Sequence, residues 1–313
     1  MRARDAEGSE VVAVVDLGST AVRLLLARIV PDRGFRVLVQ ERVATRLGGG
    51  APGTLPRDAI EGTLRAVHRF FARHARKGRG PRVVAVATSA VRDARNRERL
   101  LGPLRRREGI DVQVLSARDE ARLGVAACLE SLPFADGIVV DLGGASLQLS
   151  RVRRRRVVCI ASLPLGSVRT SRRLGRHDPP GARALQTLRT ALREQLLEAV
   201  PPARDGEVMV GLGGIVRTLA SIHLRSRRGE RTQRHGLRLH QADVVAIRER
   251  LEGLTRRQRR KVRGLKPERA DIILAGAIVI EEVMVFGGYR TLVICTRGVR
   301  DGVLRRETFG GRL

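Results

Sequence analysis

The segment Ile138-Val139-Val140-Asp141-Leu142-Gly143-Gly144-Ala145-Ser146-Leu147-Gln148-Leu149 decides how the rest of the chain is read. A short apolar run ends in an aspartate, small residues follow, and apolar alternation resumes. That is the pattern of strand, tight turn and strand, with Asp141 and the glycine pair at the turn. Glycine there permits positive φ and lets the backbone approach a ligand closely. Successive N–H groups in such a turn make an anion-binding concavity, and an adjacent carboxylate can hold a divalent cation. By itself the segment equally describes an ordinary hairpin with a glycine turn.

An echo earlier in the chain adds weight. Val14-Val15-Asp16-Leu17-Gly18 repeats as Val139-Val140-Asp141-Leu142-Gly143, and a serine follows in each copy, Ser19 and Ser146. The spacing is far too long for a solenoid repeat. It implies two similar domains, each presenting a phosphate-gripping hairpin to a shared cleft.

Composition bounds the partners. The 313 residues suffice for about two domains with cores of their own. Apolar residues are 42% and aromatic residues 2%, so the core must be aliphatic. The net charge of +29 comes almost wholly from arginine, lysine standing only at Lys77, Lys261 and Lys266. Arginine's planar fork suits phosphate oxygens, and a polyanionic partner follows unless coding bias alone raised the count. The scarcity of aromatic side chains for base stacking argues against nucleic acid. Cys128, Cys159 and Cys295 are odd in number and lack metal-ligand spacing, which points to a reduced, cytoplasmic setting. Met1–Gly8 is charged and does not read as a signal peptide, and the apolar run Ile272–Ile280 is too short for a membrane span.

Taken in order, Val11–Val15, Ala21–Ile29 and Phe35–Val43 read as strands, with a turn at 31–34. Asp58–Ala75 has helical apolar spacing, and Val83–Ala87 is a strand. A single helix is expected from Thr88 to about Arg107, then a strand over Ile110–Leu115 and a helix capped by Ser116. The second copy opens with strands near 138–142, 146–152 and 156–162. Arg225–Gly236 reads as a basic, mobile loop, Ala270–Val285 as the most apolar helix, and Thr291–Cys295 as a last strand before a terminal helix. Three strands followed by alternating helix and strand spell α/β.

These segments together resemble the exopolyphosphatase / guanosine pentaphosphate phosphohydrolase family (Ppx/GppA), in its short form without the HD-type C-terminal domain. The resemblance rests on Asp16-Leu17-Gly18-Ser19, Ala87-Thr88-Ser89-Ala90-Val91-Arg92-Asp93-Ala94, Asp119-Glu120-Ala121-Arg122-Leu123 and Asp141-Leu142-Gly143-Gly144. Leu163-Pro164-Leu165-Gly166, Arg217-Thr218-Leu219-Ala220, Gly264-Leu265 with Arg269-Ala270-Asp271, and Arg297-Gly298-Val299-Arg300-Asp301-Gly302 follow in the family's order. It implies an α/β fold of two RNase H-like domains of the actin–Hsp70–sugar-kinase superfold with an interdomain cleft. The expected division is 1–125, with the helix at about 299–308 packing back on it, and 126–298.

The resemblance also assigns roles. Glu120 matches the catalytic glutamate that activates or orients water; position alone favours a first-turn acid that stabilises a helix dipole, and the motif context reverses that. Arg92 matches a phosphate-holding arginine, and Gly18, Ser19, Gly143, Gly144 and Ser146 match the phosphate loops, joined by Gly213 and Gly214. Asp141 matches a Mg²⁺ ligand and Asp16 its counterpart in the first loop. The family usually has Asp-x-Gly-Gly-Gly-Ser-x-Glu, so Ala145 and Gln148 are departures. Gln148 keeps an oxygen but loses a charge and should hold Mg²⁺ weakly, while Ala145 adds a Cβ where the turn is expected to need positive φ. Thr20, Ala21 and Ile215 depart as well.

The leading expectation is a Mg²⁺-assisted phosphohydrolase that removes terminal phosphate from polyphosphate or guanosine pentaphosphate, with a homodimer as a further partner expectation and no membrane. The alternative is a catalytically weakened protein that binds polyphosphate or an alarmone. A kinase of the same superfold and a nucleic-acid-binding protein rank behind these.

Overall fold

The computed structural model describes residues 10–30, 34–74, 80–175, 177–226 and 233–309. They form two compact units, one of residues 1–116 with 300–313 and the other of residues 117–299. Residues 31–33 of the turn expected at 31–34, and half of the basic loop at 225–236, lie outside the described residues.

The first unit is built on β1 (Val11–Leu17), β2 (Val22–Val30), β3 (Gly34–Val43), β4 (Arg82–Ala87) and β5 (Val112–Val114), in the sheet order β3-β2-β1-β4-β5. β1, β2 and β3 form an antiparallel meander, and β4 and β5 continue it in parallel from β1. Helix α1 (Arg57–His74) buries Ala59, Ile60, Thr63, Ala66, Val67 and Phe70, a stripe at helical spacing that faces the core. The single helix expected from Thr88 is broken into α2 (Ser89–Arg92) and α3 (Glu98–Glu108). Asn96 explains the break: its amide bonds both the N–H and the C=O of Leu55, each at 2.9 Å, and Arg95 N–H donates to Gly53 O. Those bonds hold residues 93–97 out of the helical path.

The second unit repeats the plan with β6 (Gly137–Leu142), β7 (Leu147–Arg153), β8 (Arg156–Leu163), β9 (Val208–Gly213), β10 (Arg238–His240) and β11 (Thr291–Ile294). Their order is β10-β11-β9-β6-β7-β8, again a meander joined to parallel strands, with β10 added antiparallel at the edge. Both units are thus RNase H-like α/β layers. The division falls at 116/117 and not at 125/126, because α4 (Ala117–Ser131) belongs to the second unit. Its Val125 and Cys128, with Leu132 beyond, pack on Val139, Val152, Val210 and Leu212 of that sheet.

The opposite face of this sheet carries Ile138, Val140, Leu142, Leu147 and Leu149, the strict alternates, and meets the main apolar cluster. At its centre α10 (Ile273–Gly287) is buried along nearly its whole length. It packs with α5 (Ser167–Ser171), α6 (Ala182–Leu196), α7 (Gly214–Ser226) and α8 (Gln241–Glu252). Gly276 admits α7 closely, since a Cβ there would stand 2.7 Å from Ile215. The two acids of α10 are buried and paired: Glu282 with Arg189 and, at 3.0 Å, Arg193, and Glu281 with Arg248 at 2.7 Å. Buried charges of this kind are tolerable only when paired, so part of the arginine excess serves the interior. After a short α9 (Arg256–Arg259) and α10, the chain ends in α11 (Val299–Thr308), where Glu307 bonds Arg82 at 2.7 Å and Arg306 bonds Gln113.

Tyr289, the sole tyrosine, is buried beside Arg151, which donates to its hydroxyl at 3.1 Å. Burial outweighs the arginine and raises the phenol above its ordinary value of 10.0. The stability contributed by the neutral phenol is therefore intact below the unfolded value and lost as pH rises through the higher folded one. Absorbance titration of the native protein should show phenolate forming at higher pH than in the urea-unfolded chain; coincident curves would contradict this packing.

Candidate active site

The β6–β7 turn is closed by Gly143 N–H donating to Ser146 O at 3.0 Å. That bond fixes an antiparallel register in which Asp141 stands directly opposite Gln148. Directly opposed residues share a face of the sheet, here the face covered by α4. Gln148 is 1% exposed; its Nε2 donates to Ser146 Oγ at 2.8 Å, and its Oε1 is buried without a hydrogen-bond partner among the described residues.

The turn does not use left-handed backbone at the expected places. Gly143 is not at positive φ, and Ala145 is absent from the positive-φ residues, so its Cβ brings no strain. The close approach occurs elsewhere. A Cβ on Gly166 would lie 2.2 Å from Ala145 C, so only glycine allows the segment after β8 to pass over the turn. That segment then secures the loop, with Ser167 N–H and Oγ donating to Gly143 O and Val168 N–H to Gly144 O.

Helix α4, which carries Glu120, covers the same face of the sheet. Glu120 and Gly124 lie four residues apart on one helix face, and a Cβ on Gly124 would stand 3.8 Å from Asp141 Oδ2. Glu120 is itself buried, in the first turn of the helix. On the other side of Asp141, Gly213 has φ +97°, and a Cβ there would meet Leu142 O at 2.7 Å and Asp141 Oδ1 at 3.0 Å. The Asp141 carboxylate is therefore closely confined on the Gly213 side, whereas a Cβ at Gly124 would make only ordinary contact with it. Gly214 begins α7, and its carbonyl accepts from Arg269, which also bonds Thr218 Oγ1 at 2.6 Å. Glu120, Asp141, Gly143, Gly144, Ser146, Gln148, Gly213 and Gly214 thus all belong to the second unit.

Gly18, Ser19, Arg92 and Asp16 belong to the first unit, where the turn is closed the same way, Gly18 N–H to Ala21 O at 3.2 Å. By this correspondence Ala21, and not Ser19, is the counterpart of Ser146. Ser19 Oγ instead faces Ser89 Oγ at 3.4 Å. Opposite Asp16 in the register stands Arg23, whose Nη1 bonds Asp16 Oδ2 at 3.0 Å. Arg300 is also within electrostatic reach of Asp16: burial lowers its guanidinium, while Asp301 and Asp16 oppose that shift. Asp16 thus already holds a cation of the protein's own. Arg92 Nη1 donates to Leu115 O at 2.9 Å, which fixes its side chain against the end of β5.

A divalent ion was expected at these aspartates. Among the described residues no group of three or more His, Cys, Asp or Glu is placed to ligate a metal. Asp141 with the unpaired Gln148 Oε1 offers two hard oxygens on one face, a donor set that fits a largely hydrated Mg²⁺; Asp16, neutralised by Arg23, does not fit.

Comparison with known proteins gives the family. The model of the Ppx/GppA phosphatase family matches residues 25–308. The chain belongs to the Ppx/GppA phosphatase family. It is 31% identical to Exopolyphosphatase 2 of Mycobacterium tuberculosis, over 93% of this chain and 97% of that protein. Exopolyphosphatase 1 of Mycobacterium leprae is 30% identical, over 95% and 89%. Among solved structures, a Ppx/GppA family member from Aquifex aeolicus superposes with a TM-score of 0.80 at 28% identity, over 97% of this chain and 99% of that one. An exopolyphosphatase from Cytophaga hutchinsonii gives 0.83 at 25% identity, with the same coverage.

Sequence reading passed over Arg23, Gly124, Gly166 and Arg269. The seven-residue spacing from Asp16 to Arg23, shared by Asp141 and Gln148, was the available signal for the first. Gly166 and Arg269 stood inside quoted motifs, but their roles depend on contacts distant in sequence. Gly213→Ala should cost about 1–3 kcal/mol in urea unfolding, because it adds a side chain at positive φ against a carbonyl and Asp141. Gly253→Ala, which meets open space, should stay within about 0.5 kcal/mol. Equal losses would refute the tight fit around Asp141.

Proposed function

We propose that this Ppx/GppA chain is a phosphohydrolase that releases terminal phosphate from inorganic polyphosphate or guanosine pentaphosphate. The observation that carries this reading is the placement of Glu120 on the first turn of α4, the helix whose Gly124 lies against Asp141, with Gln148 opposite Asp141 across the β6–β7 turn. The named relatives, both exopolyphosphatases, favour polyphosphate.

In this reading the Glu120 carboxylate takes a proton from water as the water oxygen bonds the terminal phosphorus. The P–O anhydride bond breaks on the far side, and the chain leaves one phosphate shorter. A general base of this kind contributes about 10²–10⁴-fold. Gly144, Gly213 and Gly214 supply amides and Ser146 a hydroxyl to the phosphate oxygens, while the Gly143 amide closes the turn that holds them. Asp141 and Gln148 would hold Mg²⁺, which supplies charge stabilisation on the phosphate oxygens. Asp16 is assigned to Arg23 and kept out of the metal shell.

A second reading, a protein that binds the same ligands with little turnover, is favoured by the neutral Gln148 opposite Asp141. Phosphate release from polyphosphate and from guanosine pentaphosphate, with and without Mg²⁺, separates the two. Glu120→Gln should lower turnover by about 10²–10⁴-fold while leaving tripolyphosphate affinity within about twofold. Full activity in that variant would refute the mechanism, and tight binding without release by the wild type would select the second reading. Affinity for long polyphosphate should also fall steeply with added salt, through counterion release. A salt-insensitive affinity would separate the arginine excess from ligand binding.

A further inference from the structure

We infer that Gln148 is a positioning residue that turns the Ser146 hydroxyl outward as a donor to an anionic phosphate oxygen, so that the loop grips phosphate without help from a metal. This rests on the assignment of Ser146 to the phosphate loop made above.

A serine hydroxyl has one hydrogen and can accept as well as donate. Gln148 Nε2 donates to Ser146 Oγ at 2.8 Å, with both groups buried. An Oγ that accepts there keeps its own hydrogen for another acceptor. The backbone around it is held in place, since Ser146 O accepts from Gly143 N–H and the passage of Gly166 confines Ser146 N. The hydroxyl therefore has a fixed place and a fixed polarity. A carboxylate at 148 would invert this, because it can only accept. The serine hydrogen would turn inward to the carboxylate, and a second negative charge would stand opposite Asp141.

The buried Oε1 of Gln148 gives a second reason to assign it a ligand-dependent role. An acceptor shielded from water and left unpaired is destabilising. An amide kept there despite that cost is one whose other end is needed. The resulting division of labour is specific to an amide: Nε2 sets the serine, and Oε1 remains for a hydrated cation. A carboxylate would favour the cation at the expense of the metal-free grip on phosphate.

The test is tripolyphosphate binding by calorimetry to the full chain in EDTA, for wild type, Ser146→Ala, Gln148→Glu and the double variant. Loss of one charge-assisted hydrogen bond predicts about tenfold weaker binding in Ser146→Ala. Gln148→Glu should weaken binding at least as much. In the Gln148→Glu background, Ser146→Ala should then change affinity by less than about twofold, because the hydroxyl no longer faces the ligand. A purely through-space charge effect would leave the serine's contribution intact, and additive losses overturn the inference. An unaltered Ser146→Ala overturns the loop assignment itself, so the two failures are distinguishable.

A pH series adds a readout that a merely structural role would not move. Once protonated, the introduced carboxyl can donate to Oγ as the amide does, so the affinity ratio of Gln148→Glu to wild type should recover as pH falls. A flat ratio counts against the inference. Should the buried charge prevent folding, Gln148→Met removes the donor without charge, and its coupling to Ser146→Ala must likewise be non-additive.

Discussion

A single backbone hydrogen bond, Gly143 N–H to Ser146 O, sets the register on which the candidate site depends. It places the residue seven positions after the aspartate directly across the hairpin. The same bond between Gly18 and Ala21 does the same in the first unit. What differs is the residue so placed. Arg23 gives Asp16 a permanent counter-ion, whereas Gln148 gives Asp141 a neutral amide with one buried oxygen unpaired. Two copies of one hairpin have thereby become a closed ion pair and a site with an acceptor oxygen to spare.

Exclusion of side chains matters as much as the presence of functional ones. Gly213 and Gly166 each stand where a Cβ would collide with Asp141 or the turn beside it. Interiors packed to this density cannot absorb an extra methyl without moving a neighbour, and the neighbour here is the carboxylate itself. Geometry at Asp141 is therefore enforced by two elements, β9 and the segment after β8. Each is anchored in the aliphatic cluster around α10 or in the smaller one under α4.

The charge of the chain also takes on a more particular meaning. Arg189, Arg193 and Arg248 neutralise buried acids on α10. Arg155 holds the carbonyls of Leu129 and Phe134 at the end of α4, and Arg151 bridges Tyr289 and Glu207. A guanidinium serves such roles well because its several donors are fixed in one plane. Net charge alone could not separate these from arginines that face a polyanion.

The sequence by itself determined the α/β class, the repeated strand–turn–strand hairpin, most strand positions and the family, because those rest on local alternation, turn residues and motif order. It also singled out Glu120, Asp141 and Gln148. Only the tertiary structure decided that α4 belongs to the second unit and that Asn96 breaks the helix after Arg92. It likewise showed that Asp16 is already paired, and that Gly166, not a glycine in place of Ala145, makes the tight approach. The physical reason is common to all four. Each depends on atoms brought together by folding from distant segments or across a hairpin, and no local periodicity encodes which partner a side chain will meet.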